Sequence, residues 1–405
     1  MLNTAPRFFV LTTLAVMFSL SSTVIVRAQG IAVTGVGPVN RSMGGAGTAA
    51  PLDAIGALHW NPASISALEC SEMSFGAELL LADVDLSSTI GATTGTTSGE
   101  AGVAIVPSVG WTHHIEGTPL TVGLGVYGIG GFRNNMPPDL TNPLIAAVGG
   151  RIFADAELLQ IAPTLSYRVT DRLSIGISPT ITTGKITFDP LGPSVITPFP
   201  SAGSGNRVHW GGGVQLGVYY IGQRHFHWGV SVKSRQWMED FRFFSPAVPG
   251  GVAKFDLDYP MIVSLGMAYS GFDRWVLAAD ARYFDYQNTP GFKELGYSNV
   301  FAAAFGAQYQ ATDRLKLRLG YNFNQNPLQS ADAFTNFSAP LIQDQNVAAG
   351  ASYRFARNVD LTAAYVYLVN NGLTGPLPAA LFGPGASLTN EINAHSLLMG
   401  VTVRY

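Results

Sequence analysis

The side chains that most often carry chemistry are sparse in this 405-residue chain, and their spacing builds no catalytic constellation. Among seven histidines, His113 and His114 fall at an expected turn, while His225 and His227 flank Phe226 and precede Trp228. On a strand that spacing puts both imidazoles on one face, where two ligands of a metal site would sit. No third ligand stands near them, so a polar role at a turn or interface is expected and a metal is not. Cys70 is the single cysteine. It has no partner for an internal disulfide and reads as a small apolar residue, not a nucleophile. Gly123-Leu124-Gly125-Val126-Tyr127-Gly128 has the G-x-G-x-x-G spacing of a nucleotide fingerprint. That fingerprint needs a helix opening at the glycines. Gly130, Gly131 and Pro137-Pro138 follow instead, so the segment reads as a strand whose glycines allow a bend. No enzyme activity and no cofactor are expected.

Composition narrows what could position such residues. Charged residues make up 12% of the chain and apolar residues 47%, with 46 glycines. That is about half the usual charged share. After the first thirty residues no apolar run reaches the ~18 residues a membrane helix needs. A β-sandwich or barrel in water, or a β-barrel in a membrane, remains. Residues 1–28 read as a secretory signal. Arg7 is the positive start, Phe8 to Leu20 the apolar core, and Val26-Arg27-Ala28 the small-residue cleavage site. Cleavage removes Arg7 and Arg27 and no acidic residue, so the mature chain is more acidic than the formal −3. It has no electrostatic case for nucleic acid.

The remainder after residue 70 contains fourteen stretches of strand character, among them 103–114, 225–243, 252–270 and 391–405. Leu315, Leu317, Leu319, Tyr321 and Phe323 share one face, opposite Arg314, Lys316, Arg318, Asn322 and Asn324. Trp275, Leu277, Ala279, Ala281 and Tyr283 likewise oppose Arg274, Asp280 and Arg282. Period two is the signature of a sheet. Short turns such as Thr170-Asp171 and Arg357-Asn358 alternate with long connections, including 87–102, 133–150, 190–206 and 371–390. An even strand count with that beat is the pattern of outer-membrane barrels. Aromatics near strand ends (Trp111, Tyr127, Tyr167, Trp210, Trp228, Tyr269, Tyr283, Tyr309, Tyr353) suit interfacial girdles, as does the final Tyr405.

Residues 29–69 do not alternate. They hold Gly35, Gly37, Gly44, Gly45, Gly47 and Gly56 among small residues, with Arg41, Asp53 and His59 as the few titratable groups. Such a segment suits a compact plug in a barrel lumen, where small residues let backbones approach. The run Arg41-Ser42-Met43-Gly44-Gly45-Ala46-Gly47, then Leu58-His59-Trp60-Asn61-Pro62-Ala63, resembles the N-terminal hatch of the FadL family of outer-membrane transporters of hydrophobic compounds. Asn61-Pro62-Ala63 matches that family's hatch signature. Leu159 to Thr164, Ser264 to Tyr269, Phe292 to Tyr297 and Leu317 to Asn322 resemble its strands in order.

The resemblance implies an all-β fold: a 14-stranded antiparallel transmembrane β-barrel at 70–405, plugged by a small hatch at 29–69. It implies passive uptake of long-chain fatty acids or other hydrophobic molecules across the bacterial outer membrane. Ligand would be captured at the outer mouth and released sideways where the third strand kinks, at Gly125, Gly128 and Gly130. A carboxylate ligand needs a cation in an apolar trough. Lys293 lies in a stretch resembling the family's outer ligand pocket and is the first choice, with Lys185 and Arg318 behind it. The barrel is expected to work as a monomer among outer-membrane lipid and lipopolysaccharide. A general diffusion porin and a structural or adhesive surface barrel are the alternative readings.

Overall fold

Alternation with apolar residues on one face has two solutions, apolar-in or apolar-out. The computed structural model, which describes residues 30–189, 207–244 and 250–405, adopts the second. The expected signal at 1–28 and the connection 190–206 lie outside the described residues. Fourteen strands form the wall: β1 (Glu72–Ile90), β2 (Val103–His114), β3 (Leu120–Met136), β4 (Ile152–Arg168), β5 (Leu173–Asp189), β6 (His209–Ile221) and β7 (Phe226–Lys233). They continue as β8 (Met261–Tyr269), β9 (Trp275–Asp285), β10 (Val300–Gln310), β11 (Leu315–Asn324), β12 (Gln345–Ala356), β13 (Val359–Pro376) and β14 (Ser387–Arg404). Each pairs antiparallel with its neighbour, and β1 pairs with β14 from Glu72↔Arg404 to Thr89↔Ser387, which closes the barrel. Short turns and the β1–β14 junction's chain ends share one rim; the long connections share the other.

The outer face is apolar. Leu319, Ile105 and Met399 are 67%, 69% and 71% exposed, while Arg318 beside Leu319 and Leu398 beside Met399 are buried. In water this would be an inside-out protein. In hydrocarbon it is the stable arrangement, since the closed sheet pairs most of the wall's backbone internally and hides the polar face.

Three expectations are corrected. Stretches 225–243 and 252–270 are not single wall strands. The wall segments end at Lys233 and resume at Met261, and the described residues between, 234–244 and 250–260, form a strap on the long-loop side. Gln236 bridges to Tyr259, and Phe241–Phe244 pairs with Val252–Phe255 as a separate hairpin. Alternation gave these residues strand character but could not say which sheet they join; Phe241 and Phe243 bury inward, with His209 and Phe188 as ring neighbours. The connections expected at 87–102 and 371–390 are largely strand. The wall runs to Ile90 and Pro376, and Thr93–Ser98 folds back on β1, as its β-branched threonines favour. Tyr127, expected at an interfacial girdle, is fully buried and faces inward; Trp228, Tyr353 and Tyr405 are exposed as expected.

Leu319 lies midway along β11 on the outer face. Replacing it with arginine should cost about 2–4 kcal/mol in unfolding from lipid vesicles, as charges do on a lipid-facing wall. On a water-facing surface the same change would stay within about 0.5 kcal/mol.

Candidate functional site

The lumen is filled by residues 30–69, which fold as two short helices, α1 (Gly37–Ser42) and α2 (Ala54–Trp60), and a 3₁₀ turn at Ser64–Ala67. Pro38 occupies the start of α1, where its missing N–H costs nothing. Asp53 caps α2 by accepting the Gly56 N–H at 3.1 Å. Burial pushes its carboxyl up to about 6, against that hydrogen bond and the charges of Arg318 and Arg404. Burial, with Lys233 and Arg282 nearby, holds the His59 imidazole well below its usual range, so it is neutral. Asn40 joins the two helices: its side-chain oxygen accepts from Val36 N–H (3.2 Å) and the Trp60 indole (3.0 Å), and its amide donates to Ala46 O (3.2 Å).

Close approach explains the glycines of the wall. Five cross-strand pairs, Gly76↔Gly400, Gly110↔Gly125, Gly176↔Gly217, Gly229↔Gly266 and Gly306↔Gly320, stand around the barrel. A Cβ at any of them except Gly125 would strike hatch atoms nearer than a real Cβ stands. The Asn61-Pro62-Ala63 run sits on three of these glycines. Asn61 Nδ2 donates to Thr48 O (2.9 Å) and to Val218 O on β6 (3.0 Å), and its Oδ1 accepts from Ala63 N–H (3.1 Å). Pro62 lies against Gly217, and the Ala63 backbone against Gly176.

A buried ion pair on β9, two strands along the wall from β7, holds the hatch at Gly45 to Thr48. Asp280 Oδ2 accepts from Gly47 N–H (2.9 Å), Thr48 N–H (3.0 Å), Thr48 Oγ1 (2.8 Å) and Arg282 Nη2 (2.6 Å). Arg282 also donates to Gly45 O (2.5 Å), and its guanidinium lies 3.4 Å from the centroid of the Trp60 ring. Arg41 reaches Glu78 of β1 at 2.8 Å. Reading the sequence for ligands passed over Asp280 and Arg282. Their signal was present: a charge pair facing inward from an otherwise apolar spanning strand.

The wall is not uniformly paired. β2 and β3 pair only from His114↔Thr121 to Ser108↔Tyr127. Beyond that point β2 continues with β1 to Val103, and β3 continues with β4 to Met136. The β3–β4 register shifts between Gly128 and Gly130. A narrow cleft opens there, with Val106, Ser108 and Gly128 on the wall side and Gly35, Val36 and Gly37 on the hatch side. Its inner end is covered by the leading hatch residues: Ala32 bridges to Gly130, and Val33 N–H donates to Ile129 O at 3.1 Å. Gly128 and Gly130 thus lie at the break, while Gly125 lies below it, in the paired part.

On the long-loop side the lumen is aromatic. Phe188 meets Phe132, Phe243 and Phe255 at centroid distances of 6.0, 6.3 and 6.4 Å. Phe292, Tyr286 and Tyr297 form a second group at 4.9–5.7 Å. The three cations chosen from sequence do not converge on it. Lys293 is exposed on the loop before β10. Lys185 is exposed on the outer face of β5, between the inward Gly184 and Ile186, because an odd position on this strand points away from the lumen. Arg318 is buried in the lumen, donating to Gln308 (2.8 Å) and Ser352 (2.7 Å). Of the apolar loop residues beyond β3, Leu144 and Ile145 are buried and Leu140 is exposed. No cluster of three or more metal-ligating side chains occurs among the described residues.

The family model described as outer membrane protein transport protein (OMPP1/FadL/TodX) matches residues 19–405. The fold is similar to that of the Pseudomonas putida toluene transporter TodX, at a TM-score of 0.70 and 16% identity over 93% of this chain and 100% of that one. It is also similar to a Pseudomonas aeruginosa FadL homologue (0.69, 17%, 93% and 99%) and to the Ralstonia pickettii toluene transporter TbuX (0.66, 17%, 92% and 99%). No curated protein matches the chain.

Asn61→Ala removes three buried hydrogen bonds, and Gly217→Val drives a side chain into Asn61 and Pro62. Each should weaken docking of the hatch by about 2–4 kcal/mol. The expected readouts are higher single-channel conductance and faster tryptic cleavage at Arg41, with the barrel's heat-modifiable gel mobility unchanged. Wild-type conductance in both variants would refute the assigned anchor.

Proposed function

This chain belongs to the OMPP1/FadL/TodX family of outer-membrane transport proteins, and from that premise we propose a route for its hydrophobic cargo. Long-chain fatty acids or smaller apolar compounds partition into the aromatic vestibule. They pass the leading hatch residues when these detach from β3, and leave sideways through the β2–β3 cleft into the lipid. After removal of the leader 1–28, the hatch 29–69 and barrel 70–405 are the working parts, and a single barrel suffices. The observation that carries the reading is the interrupted β2–β3 seam beside a plugged lumen.

Energetics favour a sideways exit. Each methylene exposed to water costs about 0.8 kcal/mol, so a long chain sent through a wet pore faces a barrier that lipid does not impose. The hatch fills the lumen below the vestibule, which disfavours a general diffusion porin. The vestibule lacks a buried cation among the groups expected from sequence, which favours recognition of the apolar body there over recognition of a head group.

A reversible lock tests the exit. A Cβ at Gly128 would stand 4.0 Å from Val106 Cβ, within disulfide range. In a Cys70→Ser background, Val106→Cys with Gly128→Cys should abolish uptake of toluene and oleate when oxidised and regain it on reduction. Uptake by each single cysteine variant should respond to neither oxidant nor reductant. Full uptake by the oxidised double variant would overturn lateral exit.

A further inference from the structure

Four polar side chains crowd the inner face of β11 and β12, one rung outward of Gly320↔Ala348, where Gly44 of the hatch seats. Asn322 and Asn346 are register partners on the inward side of their strands. One rung further out, Asn324 N–H donates to Asp344 O at 2.9 Å. The four thus stand at the corners of a rectangle, and none is more than 3% exposed. Such corners are about 5 Å apart across the strands and about 7 Å apart along them, which puts the centre about 4.3 Å from each Cβ.

Every corner carries an oxygen without a partner. Oδ1 of Asn322, Asn324, Asp344 and Asn346 has no hydrogen-bond donor among the described residues. Asn324 Nδ2 donates to Gln343 O at 2.8 Å, which settles which end of that amide is oxygen. The Asn322 amide is unpartnered at both ends, so it is free to turn its oxygen to the centre. Asp344 stands apart from the other buried carboxylates. Glu72, Asp258, Asp280 and Asp360 each meet an arginine, and Asp53 caps α2, whereas Asp344 has no cation within ion-pair distance among the described residues. Amides of Gln345 lie near its carboxylate, but Oδ1 accepts from none of them. Arg282 shares the register row of Asn324 two strands away, and Asp280 already holds it. Water answers the amides but not the charge, and a buried carboxylate left unpaired is costly.

We propose that these four oxygens hold a calcium ion. Calcium takes carboxylate and amide oxygens together at about 2.3–2.6 Å, a length that an Oδ1 at each corner spans to the centre. Magnesium keeps several waters in a strict octahedron, which this enclosed group does not offer. With one carboxylate and three amides it is not a cluster of His, Cys, Asp and Glu, of which none with three members occurs among the described residues. A single formal charge sets the affinity at the weak end, a Kd of about 1 mM, in the range of extracellular calcium modules. The ion sits at the root of the connection 325–343, which reaches across the lumen. Asn134 Nδ2 on β3 donates to Ser338 O of that connection (3.0 Å), and its Asn336 Nδ2 donates to Leu295 O beside the aromatic group of Phe292 and Tyr297 (2.9 Å). Calcium therefore pins a cover over the vestibule, whatever cargo passes beneath it.

The test uses the full chain in mild detergent, stripped with EGTA and then given calcium, magnesium or sodium chloride at equal ionic strength. Chymotryptic cleavage at Phe334 and Phe337, read by fragment mass, should slow about tenfold at about 10 mM calcium, the ratio 1 + [Ca]/Kd for a Kd of about 1 mM. Protection should follow a one-site curve, and magnesium and sodium should change the rate less than about twofold. Asp344→Asn keeps the shape and should abolish the protection. Asn346→Asp adds a second carboxylate and should tighten calcium binding about tenfold. No calcium protection of wild type, or equal protection by sodium, overturns the proposal and leaves water on the four oxygens. So does undiminished protection in folded Asp344→Asn. Should that variant not fold, unchanged calcium affinity in Asn346→Asp overturns it. Uptake of toluene and oleate by a wild type that calcium does not protect would remove this site and leave the uptake reading standing.

Discussion

A backbone amide or carbonyl facing hydrocarbon must find its partner within the protein. That constraint fixes the closed barrel, and it also makes any lapse in pairing conspicuous. Other seams carry short gaps and bulges, as between Ile161↔Ile181 and Leu165↔Ile177, but among the described strands β2–β3 is the seam where pairing stops, at Ser108↔Tyr127, although both strands run on. The edge thus freed on β3 is not left bare. Val33 donates to Ile129 O, Ala32 bridges Gly130, and the Tyr259 hydroxyl donates to Ile129 O at 3.1 Å. The leading segment of the hatch therefore stands in for the missing neighbour strand. An opening built this way is closed by a few hydrogen bonds instead of a whole ladder, so it can yield while the barrel holds.

The hatch itself is bound by two unlike kinds of contact. Backbone seated on glycine pairs gives area and shape but little directional hold. The Asp280–Arg282 pair and Asn61 supply the direction, through hydrogen bonds to hatch backbone at Gly45, Gly47 and Thr48. A buried ion pair adds little net stability over apolar packing, yet losing one partner is strongly destabilising. It thus specifies one seating of the plug without making that seating deep.

Much of this was legible in the sequence because lipid imposes a strict period. The strands, their beat and the glycine-rich plug all followed from alternation or its absence, and the resemblance to the FadL hatch fell on residues that do contact the wall, Asn61 and Pro62 among them. Two things were hidden. A period of two says that faces differ but not which sheet a segment joins, so the strap residues 234–244 and 250–260 looked like parts of two wall strands. Nor does it say which rung of the lumen a cation reaches. Lys185 missed the lumen by one residue of register, while Lys233, which closes a strand two residues before Arg235, gave no signal until Tyr127, Gln160, Gln215 and His59 were seen around it.

That arrangement separates two tasks by chemistry. The vestibule offers aromatic faces, which reward the body of a ligand and are indifferent to its head group. Polar groups with unused capacity lie deeper, at the inner end of the cleft. A ligand drawn in by its apolar surface would meet discrimination only after leaving water, where a charge or a missing partner weighs most. On the proposed route, selectivity beside the exit instead of at the mouth would let one vestibule admit many apolar molecules while the seam responds to few of them.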